Sequence, residues 1–128
     1  MNQESLIEVI KNFSGKKVAV VGDIALDVYS HCVVERLNPE NLSVTLGRHI
    51  RDELLLGCAG NLAVNLAKLG AKTTLYGITG EDNEGMAIIS EAEKNGIRPV
   101  VNQTGKTLVK KRFVTPHYVF RVDYEEQE

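Results

Sequence analysis

The sequence has few cysteines and no long hydrophobic run, and each shortage excludes a class of protein. Two cysteines, Cys32 and Cys58, are too few for a disulfide scaffold and lack the spacing of a zinc site. We therefore expect a reducing, cytoplasmic setting. No stretch approaches the roughly 20 apolar residues of a membrane span. Residues 1–13 also lack the basic start and apolar middle of a signal peptide.

The net charge of the chain is also small. The chain carries a formal charge of -2, with 25% charged and 43% hydrophobic residues, which is an ordinary globular balance. Neither nucleic acid nor an anionic membrane is therefore expected as a partner. Its three histidines are scattered in the sequence, and we predict no metal site. A length of 128 residues suits one domain with a modest core.

Hydrophobic periodicity predicts strand-helix units. Short apolar runs indicate core strands at residues 17–21, 73–78 and 98–101. A capping box at Ser5–Glu8 predicts a first helix. A second helix is predicted after Asn61, with Leu62, Leu66 and Leu69 on one face. A third is predicted over residues 84–95 and ends before Gly96. Alternating strands and helices favour an α/β fold with a parallel sheet. The last core strand is expected to need neighbours that this chain does not supply.

Four other segments mix β-branched and charged residues, and they predict a second, antiparallel sheet. They cover residues 29–37, 43–56, 108–114 and 118–124, with turn residues between each pair. The predicted organisation is one partial domain, residues 1–128. Its core comprises residues 1–28 and 57–104, and its lid strands comprise residues 29–56 and 105–125.

Two acids follow the first core strand, Asp23 and Asp27. Ligands of open α/β sheets bind at the carboxyl ends of strands, where a carboxylate can accept hydrogen bonds from sugar hydroxyls. The alternative is that one of these acids only caps the following turn, and the pattern alone does not decide between the two.

A small-residue segment, Gly57 to Asn61, precedes the second helix. Small residues let the backbone approach a ligand, and a helix N-terminus favours polar or anionic groups. An ordinary loop with an Asn cap is the competing interpretation. No Gly-Lys-Ser/Thr follows, so this is not a P-loop, and the dinucleotide glycine spacing is absent. Cys58 is interpreted as a small apolar residue and not as a nucleophile.

Basic residues cluster in the last third of the chain. They are suited to a substrate phosphate, although a solvated strand face is the commoner outcome. The cluster consists of Lys106, Lys110, Lys111, Arg112 and Arg121.

Together these segments resemble the ribokinase-like carbohydrate kinases. Gly57, Asn61, Ala63, Gly70 and Gly80 fall where that family's first signature has its glycine pair, small residue, asparagine and spaced glycines. Cys58 stands where the family has its second glycine. The segments 22–27, 36–40 and 121–125 resemble more narrowly the heptose-7-phosphate kinase domains of bifunctional ADP-heptose synthases.

The resemblance implies a function and a site. Asp27 would bind sugar hydroxyls, and Gly57, Cys58 and Asn61 would line the sugar pocket. The lid would close over the sugar and pair with the lid of a second subunit, giving a homodimer. The complete enzyme would use ATP and Mg to convert D-glycero-D-manno-heptose 7-phosphate, a sugar phosphate, into the 1,7-bisphosphate for ADP-heptose and lipopolysaccharide core synthesis.

The family's later Gly-Ala-Gly-Asp segment, which forms an anion hole and supplies the base, does not occur in this sequence. We therefore assign no catalytic residue within the chain and expect residues 1–128 alone to be inactive. A non-catalytic dimerising or regulatory module of the same ancestry is the main alternative. An unrelated nucleotide-binding α/β domain is a third reading, and the glycine spacing argues against it.

Overall fold

The computed structural model describes residues 3–117 and 119–125. Helices and strands alternate irregularly along this part of the chain. Their order is α1 (Gln3–Lys11), β1 (Lys17–Val21), β2 (Ile24–Asn38), β3 (Asn41–Cys58), α2 (Ala59–Lys68), β4 (Lys72–Thr79), α3 (Asn83–Lys94), β5 (Arg98–Gln103), β6 (Leu108–Val114) and β7 (Val119–Tyr124).

The core sheet is three-stranded and parallel, in the order β1-β4-β5, which confirms the predicted α/β core. Val20 and Leu75 are register partners, and both are buried on one face of this sheet. Ala63 from α2 and Ile88 and Ala92 from α3 belong to the same apolar cluster. This face therefore holds the hydrophobic core, because two helices remove it from water.

The opposite face of the core sheet is exposed. Val21, Tyr76 and Val100 are aligned across the three strands and remain 78%, 40% and 41% accessible, and Ile78 is 60% accessible. Parallel sheets in complete folds are normally covered on both faces. This exposed apolar surface, here called the bare core face, is therefore of the kind that other polypeptide segments cover.

The second sheet, here called the lid sheet, has the order β3-β2-β6-β7. The β2–β3 and β6–β7 pairs are antiparallel, as the sequence predicted for these lid strands. Strands β2 and β6, whose relative direction the sequence did not predict, run parallel. The cause is the long return through the core, which brings the chain back to the end of the sheet where β2 starts. Strand β2 already begins at Ile24, before the expected lid border at residue 29.

Two helix details differ from expectation. Helix α1 includes Gln3, so Ser5 lies inside the helix and does not begin a capping box there. In α2 Gly60 and Ala63 are buried and Leu66 packs against the apolar cluster, as expected, whereas Leu62 is 54% exposed and Leu69, just after the helix, is 40% exposed. Small residues face the sheet because α2 packs closely against it. No helix in the described ranges is long and apolar enough to cross a membrane.

Candidate functional site

Asp27 lies within β2, on the lid-sheet face that is turned away from the apolar cluster. Arg112 of β6 donates a hydrogen bond from Nη1 to its Oδ1 over 2.8 Å, and both side chains are only 19% exposed. The guanidinium also lies 5.0 Å from the ring centroid of Tyr29. Asp27 is therefore a strand residue held in a half-buried ion pair, and the interpretation of Asp27 as a turn cap was wrong.

Asp23 is separate from this arrangement. Its side chain is exposed, and its backbone carbonyl accepts a hydrogen bond from the Ala59 amide over 2.9 Å. The two acids that share one sequence motif thus have different surroundings, and only Asp27 faces a cation at close range.

Gly57 is buried and lies against the Asp27 carboxyl group. A Cβ atom added at Gly57 would come within 3.0 Å of Cγ and Oδ2 of Asp27 and 3.2 Å of Cβ of Ala25. That spacing is tighter than ordinary van der Waals contact. Glycine at this position therefore makes room for the carboxylate.

Cys58 alone makes the change from strand to helix, because β3 ends at this residue and α2 begins at Ala59. The predicted small-residue loop is thus reduced to one residue with φ 52° and ψ -128°. Glycine adopts positive φ freely, whereas other residues are strained there. The second glycine of the family signature consequently has a backbone explanation at this position.

Replacing Cys58 with glycine is expected to stabilise the chain by about 1 kcal/mol, because glycine removes the strain of positive φ. Cys58→Ala keeps that strain and loses only the thiol, which makes it the matched control. Urea unfolding of the three proteins measures the difference. A glycine variant no more stable than the alanine variant would show that the backbone at residue 58 is unstrained.

Asn61 lies in the first turn of α2 and is exposed. It lines a cavity of about 230 Å³ together with Asp27, Tyr29 and Leu55. Since Asn61 is inside the helix, it is not the N-cap. Two of the four predicted site residues therefore share one cavity, while Gly57 contacts the Asp27 carboxylate and Cys58 joins the strand to the helix.

The basic residues divide between the two faces of the lid sheet. Lys110 and Arg112 alternate with Lys111 along β6, and Arg121 is the register partner of Arg112 on β7. Arg121 donates two hydrogen bonds to Asp123, over 2.8 and 2.7 Å, and these bonds lower the pKa of the Asp123 carboxyl. Lys110 instead has its Nζ 3.4 Å from Sγ of Cys58.

Lys111 points to the opposite face, where its Nζ lies 3.8 Å from Oδ2 of Asp52. The hydrogen bond from Ser30 is the main cause of a lowered Asp52 pKa, and His49 and Lys111 add to it against the effect of burial. This face borders a larger cavity of about 530 Å³, whose floor includes Leu26 and Val28. Leu26 and Val28, the sequence neighbours of Asp27, thus lie on the opposite face of the lid sheet from Asp27.

Sequence reasoning missed the polar cluster around Asp82. Asp82 caps α3 by accepting a hydrogen bond from the Gly85 amide over 2.8 Å, and it also accepts two from Thr107. The only sequence signal was an aspartate before a predicted helix. Its partner is 25 residues away, a pairing that local pattern does not reveal.

No group of three or more His, Cys, Asp or Glu side chains within residues 3–117 and 119–125 is arranged to hold a metal ion. The carboxylates of Asp27, Asp52, Asp82 and Asp123 are each engaged with cations, hydroxyls or backbone amides.

Comparison with known proteins connects this geometry to a family. The family model described as pfkB family carbohydrate kinase matches residues 15–124. Bifunctional protein HldE of Caulobacter vibrioides is 36% identical over 97% of this chain, and the HldE of Marinomonas sp. is 37% identical over 91%. The chain spans only 26% and 25% of the lengths of these two relatives.

Solved structures of sugar kinases share the fold. A ribokinase from Giardia lamblia has a TM-score of 0.61 at 19% identity, with 87% of this chain and 36% of that chain covered. The ribokinase of Arabidopsis thaliana, solved in complex with ribose and ATP, has a TM-score of 0.58 at 21% identity, with 87% and 36% covered. These likenesses concern the fold alone.

Proposed function

Since the chain belongs to the pfkB family of carbohydrate kinases, we propose that it is the sugar-binding part of a kinase that transfers phosphate from ATP to a sugar phosphate. The proposed substrate is D-glycero-D-manno-heptose 7-phosphate, and the product is the 1,7-bisphosphate. The observation that carries this proposal is the cavity shared by Asp27 and Asn61 beside the lid sheet. The HldE relatives support the choice of a heptose phosphate.

Asp27 and Asn61 suit the hydroxyls of a sugar. Oδ1 of Asp27 accepts from Arg112, and the carboxylate retains acceptor capacity for a hydroxyl, because an ionised carboxylate has about four lone-pair sites. Asn61 offers an amide that both donates and accepts. The half-buried Arg112 holds the Asp27 carboxylate in a fixed orientation, so the acceptor is in place before the sugar binds.

Among the basic residues that β6 and β7 place on this face, Lys110 is the one proposed for the substrate phosphate. Arg112 and Arg121 each form an ion pair with a carboxylate, at Asp27 and Asp123 respectively. Lys110 is the register partner of Asp27 on β2 and of Asp123 on β7, but among the described residues it forms no direct ion pair, and its Nζ lies 3.4 Å from Sγ of Cys58. An ammonium group outside a direct ion pair binds a phosphate with no such pair to break.

ATP, Mg and the catalytic base belong, in this proposal, to residues outside 1–128. The sequence has no Gly-Ala-Gly-Asp segment, and the described part of the chain has no cluster of three His, Cys, Asp or Glu side chains that could hold a metal. The bare core face, with Val21, Tyr76 and Ile78 exposed, supports a complementary polypeptide as its cover. The two free cysteines agree with a cytoplasmic location.

The purified chain is expected to release no ADP from MgATP in the presence of heptose 7-phosphate, and to bind that sugar in calorimetry. Adding the remaining kinase-domain segment of an HldE relative as a separate polypeptide should restore sugar-dependent ADP release. Turnover by residues 1–128 alone would show that a base and an anion hole exist within them. Absence of both binding and complementation would refute the proposed function.

A dimerising module of the same ancestry is the second candidate. The distal part of the β2–β3 hairpin carries exposed apolar side chains that a second lid would cover, namely Val33, Leu37, Leu42, Val44 and Ile50. The solution mass of the calorimetry sample distinguishes the two candidates. A stable dimer that binds no sugar phosphate favours the module, whereas sugar-phosphate binding favours the kinase part in either oligomeric state.

A further inference from the structure

Asp82 and Thr107 form a hydrogen-bonded cluster between the core and the lid. Oδ1 of Asp82 accepts from Oγ1 of Thr107 over 2.6 Å, and Oδ2 accepts from the Thr107 amide over 2.9 Å. Oγ1 of Thr107 in turn accepts from the Gly80 amide over 2.9 Å. Thr107 is only 5% exposed, so these groups exchange few contacts with water. We call this cluster the 82–107 clasp.

Two glycines allow the clasp to close. A Cβ atom on Gly80 would overlap Asp82 and the backbone of residues 106–107, and one on Gly85 would overlap the carbonyl of Gly80. The backbone at Gly80 therefore packs closely against Asp82 and residues 106–107 on one side and against Gly85 on the other. Such tight packing around three hydrogen bonds leaves one position for Thr107 relative to the start of α3.

The place of the clasp in the chain links it to the sugar face. Asp82 caps α3, a core helix, whereas Thr107 immediately precedes β6 of the lid sheet. Three and five residues beyond Thr107 stand Lys110 and Arg112, and β6 meets β2 with Asp27 opposite Lys110. A shift at Thr107 is therefore passed along one continuous strand to the cations that face Asp27.

We propose that the 82–107 clasp positions β6 so that Arg112 reaches Asp27 and Lys110 faces the substrate phosphate, which makes Asp82 and Thr107 positioning residues for the sugar-phosphate site. The part concerning the phosphate rests on the proposed function. The part concerning Arg112 rests only on the contacts described here. A purely structural clasp would lower overall stability without a selective effect on β6.

Thr107→Val tests the proposal because valine keeps the shape of threonine and removes the hydroxyl. Amide hydrogen exchange in residues 108–114 should become about tenfold faster, since local openings are governed by local contacts. Exchange in β4 and α2 should not change. Thr107→Ser retains the hydroxyl and should restore slow exchange. Thr104→Val is the matched control, because Thr104 is exposed in the same turn and bonds Thr79 through its backbone.

The position of Arg112 is read separately by NMR. The Nε–Hε resonance of Arg112 should shift in Thr107→Val but not in Thr104→Val. Uniform acceleration of exchange over all strands, or an unchanged Arg112 resonance, would overturn the proposal. These two readouts need no ligand, so they decide the clasp even if the wild-type chain binds no sugar phosphate and the proposed function fails.

Calorimetry with heptose 7-phosphate tests the link to the substrate. Thr107→Val should weaken binding about tenfold, within the usual range of coupling between sites. In an Arg112→Gln background, Thr107→Val should weaken binding little further, since both substitutions disrupt the same placement of Arg112 against Asp27. Additive losses in the double variant would show that Thr107 does not act through Arg112.

Discussion

Replacing Asp27 with alanine is expected to weaken the binding of heptose 7-phosphate about 100-fold. A hydrogen bond to a charged group contributes about 1.5–3 kcal/mol, and each 1.4 kcal/mol is a factor of about ten in affinity. The variant loses the acceptor for the sugar hydroxyl. It also leaves the guanidinium of Arg112, 19% exposed, without its carboxylate. Isothermal titration calorimetry on the 128-residue chain measures the change.

Two further variants give the Asp27 result its meaning. Asp27→Asn keeps the shape but not the charge, and it should lose affinity to an intermediate degree. Asp23→Ala removes the neighbouring acid of the same motif, whose side chain is exposed, and it should bind as the wild type does. Equal losses at residues 23 and 27 would mean that the effect is general electrostatics, and the assignment of Asp27 to the sugar would fail.

Replacing Asp82 with alanine is expected to destabilise the chain by about 3 kcal/mol. Three donors, the amides of Gly85 and Thr107 and the hydroxyl of Thr107, lose their acceptor together. A buried donor without a partner costs about 1–3 kcal/mol, and such losses are not fully additive. Domains of this size have about 5–15 kcal/mol of stability in total, so urea unfolding resolves the change readily.

The Asp82 effect should depend on pH. Burial acts to raise the pKa of Asp82, but hydrogen bonds from Thr107 and Gly85 outweigh it and hold the pKa below the ordinary value of 3.8. A lowered pKa in the folded state stabilises the protein above the unfolded-state pKa, and this contribution is lost as pH falls through the folded value. The stability difference between wild type and Asp82→Ala should therefore shrink below about pH 4.

Glu81→Ala provides the control for this titration. Glu81 is exposed and adjacent, so its removal changes the net charge equally while leaving the clasp intact. Its stability difference should be small at every pH, as is usual for surface substitutions. A pH dependence as large for Glu81→Ala as for Asp82→Ala would show that net charge, and not the clasp, governs acid unfolding.

The fold was accessible from sequence because its core strands are short apolar runs between helices that end at glycines. The runs at residues 17–21, 73–78 and 98–101 are strands of one parallel sheet. The buried face of α2 was harder to predict from the sequence. Periodicity grouped Leu62 with Leu66 on the packing face. Leu66 does pack against the apolar cluster beside Gly60 and Ala63, but Leu62 is left outside.

The candidate site was predicted by residue type but not by arrangement. Resemblance indicated Asp27 and Asn61, and the structure places both at one cavity. The pairing of Asp27 with Arg112 spans 85 residues and depends on the parallel β2–β6 register, which no local pattern encodes. The positive φ of Cys58 was indicated only by the family glycine at this position, since cysteine itself gives no signal of such a backbone conformation.

The pairing of Ile24 with Cys58 at the base of the β2–β3 hairpin also bears on how the chain folds. Strands β1 and β4 are register partners although a long segment separates Val21 from Lys72. Once the β2–β3 hairpin has formed, its ends lie next to each other, so the effective loop between β1 and β4 is much shorter. Loop-closure entropy grows with the logarithm of loop length, and the hairpin thus lowers the entropic barrier to docking β1 against β4. We therefore expect the β2–β3 hairpin to assist assembly of the core sheet before any ligand is present.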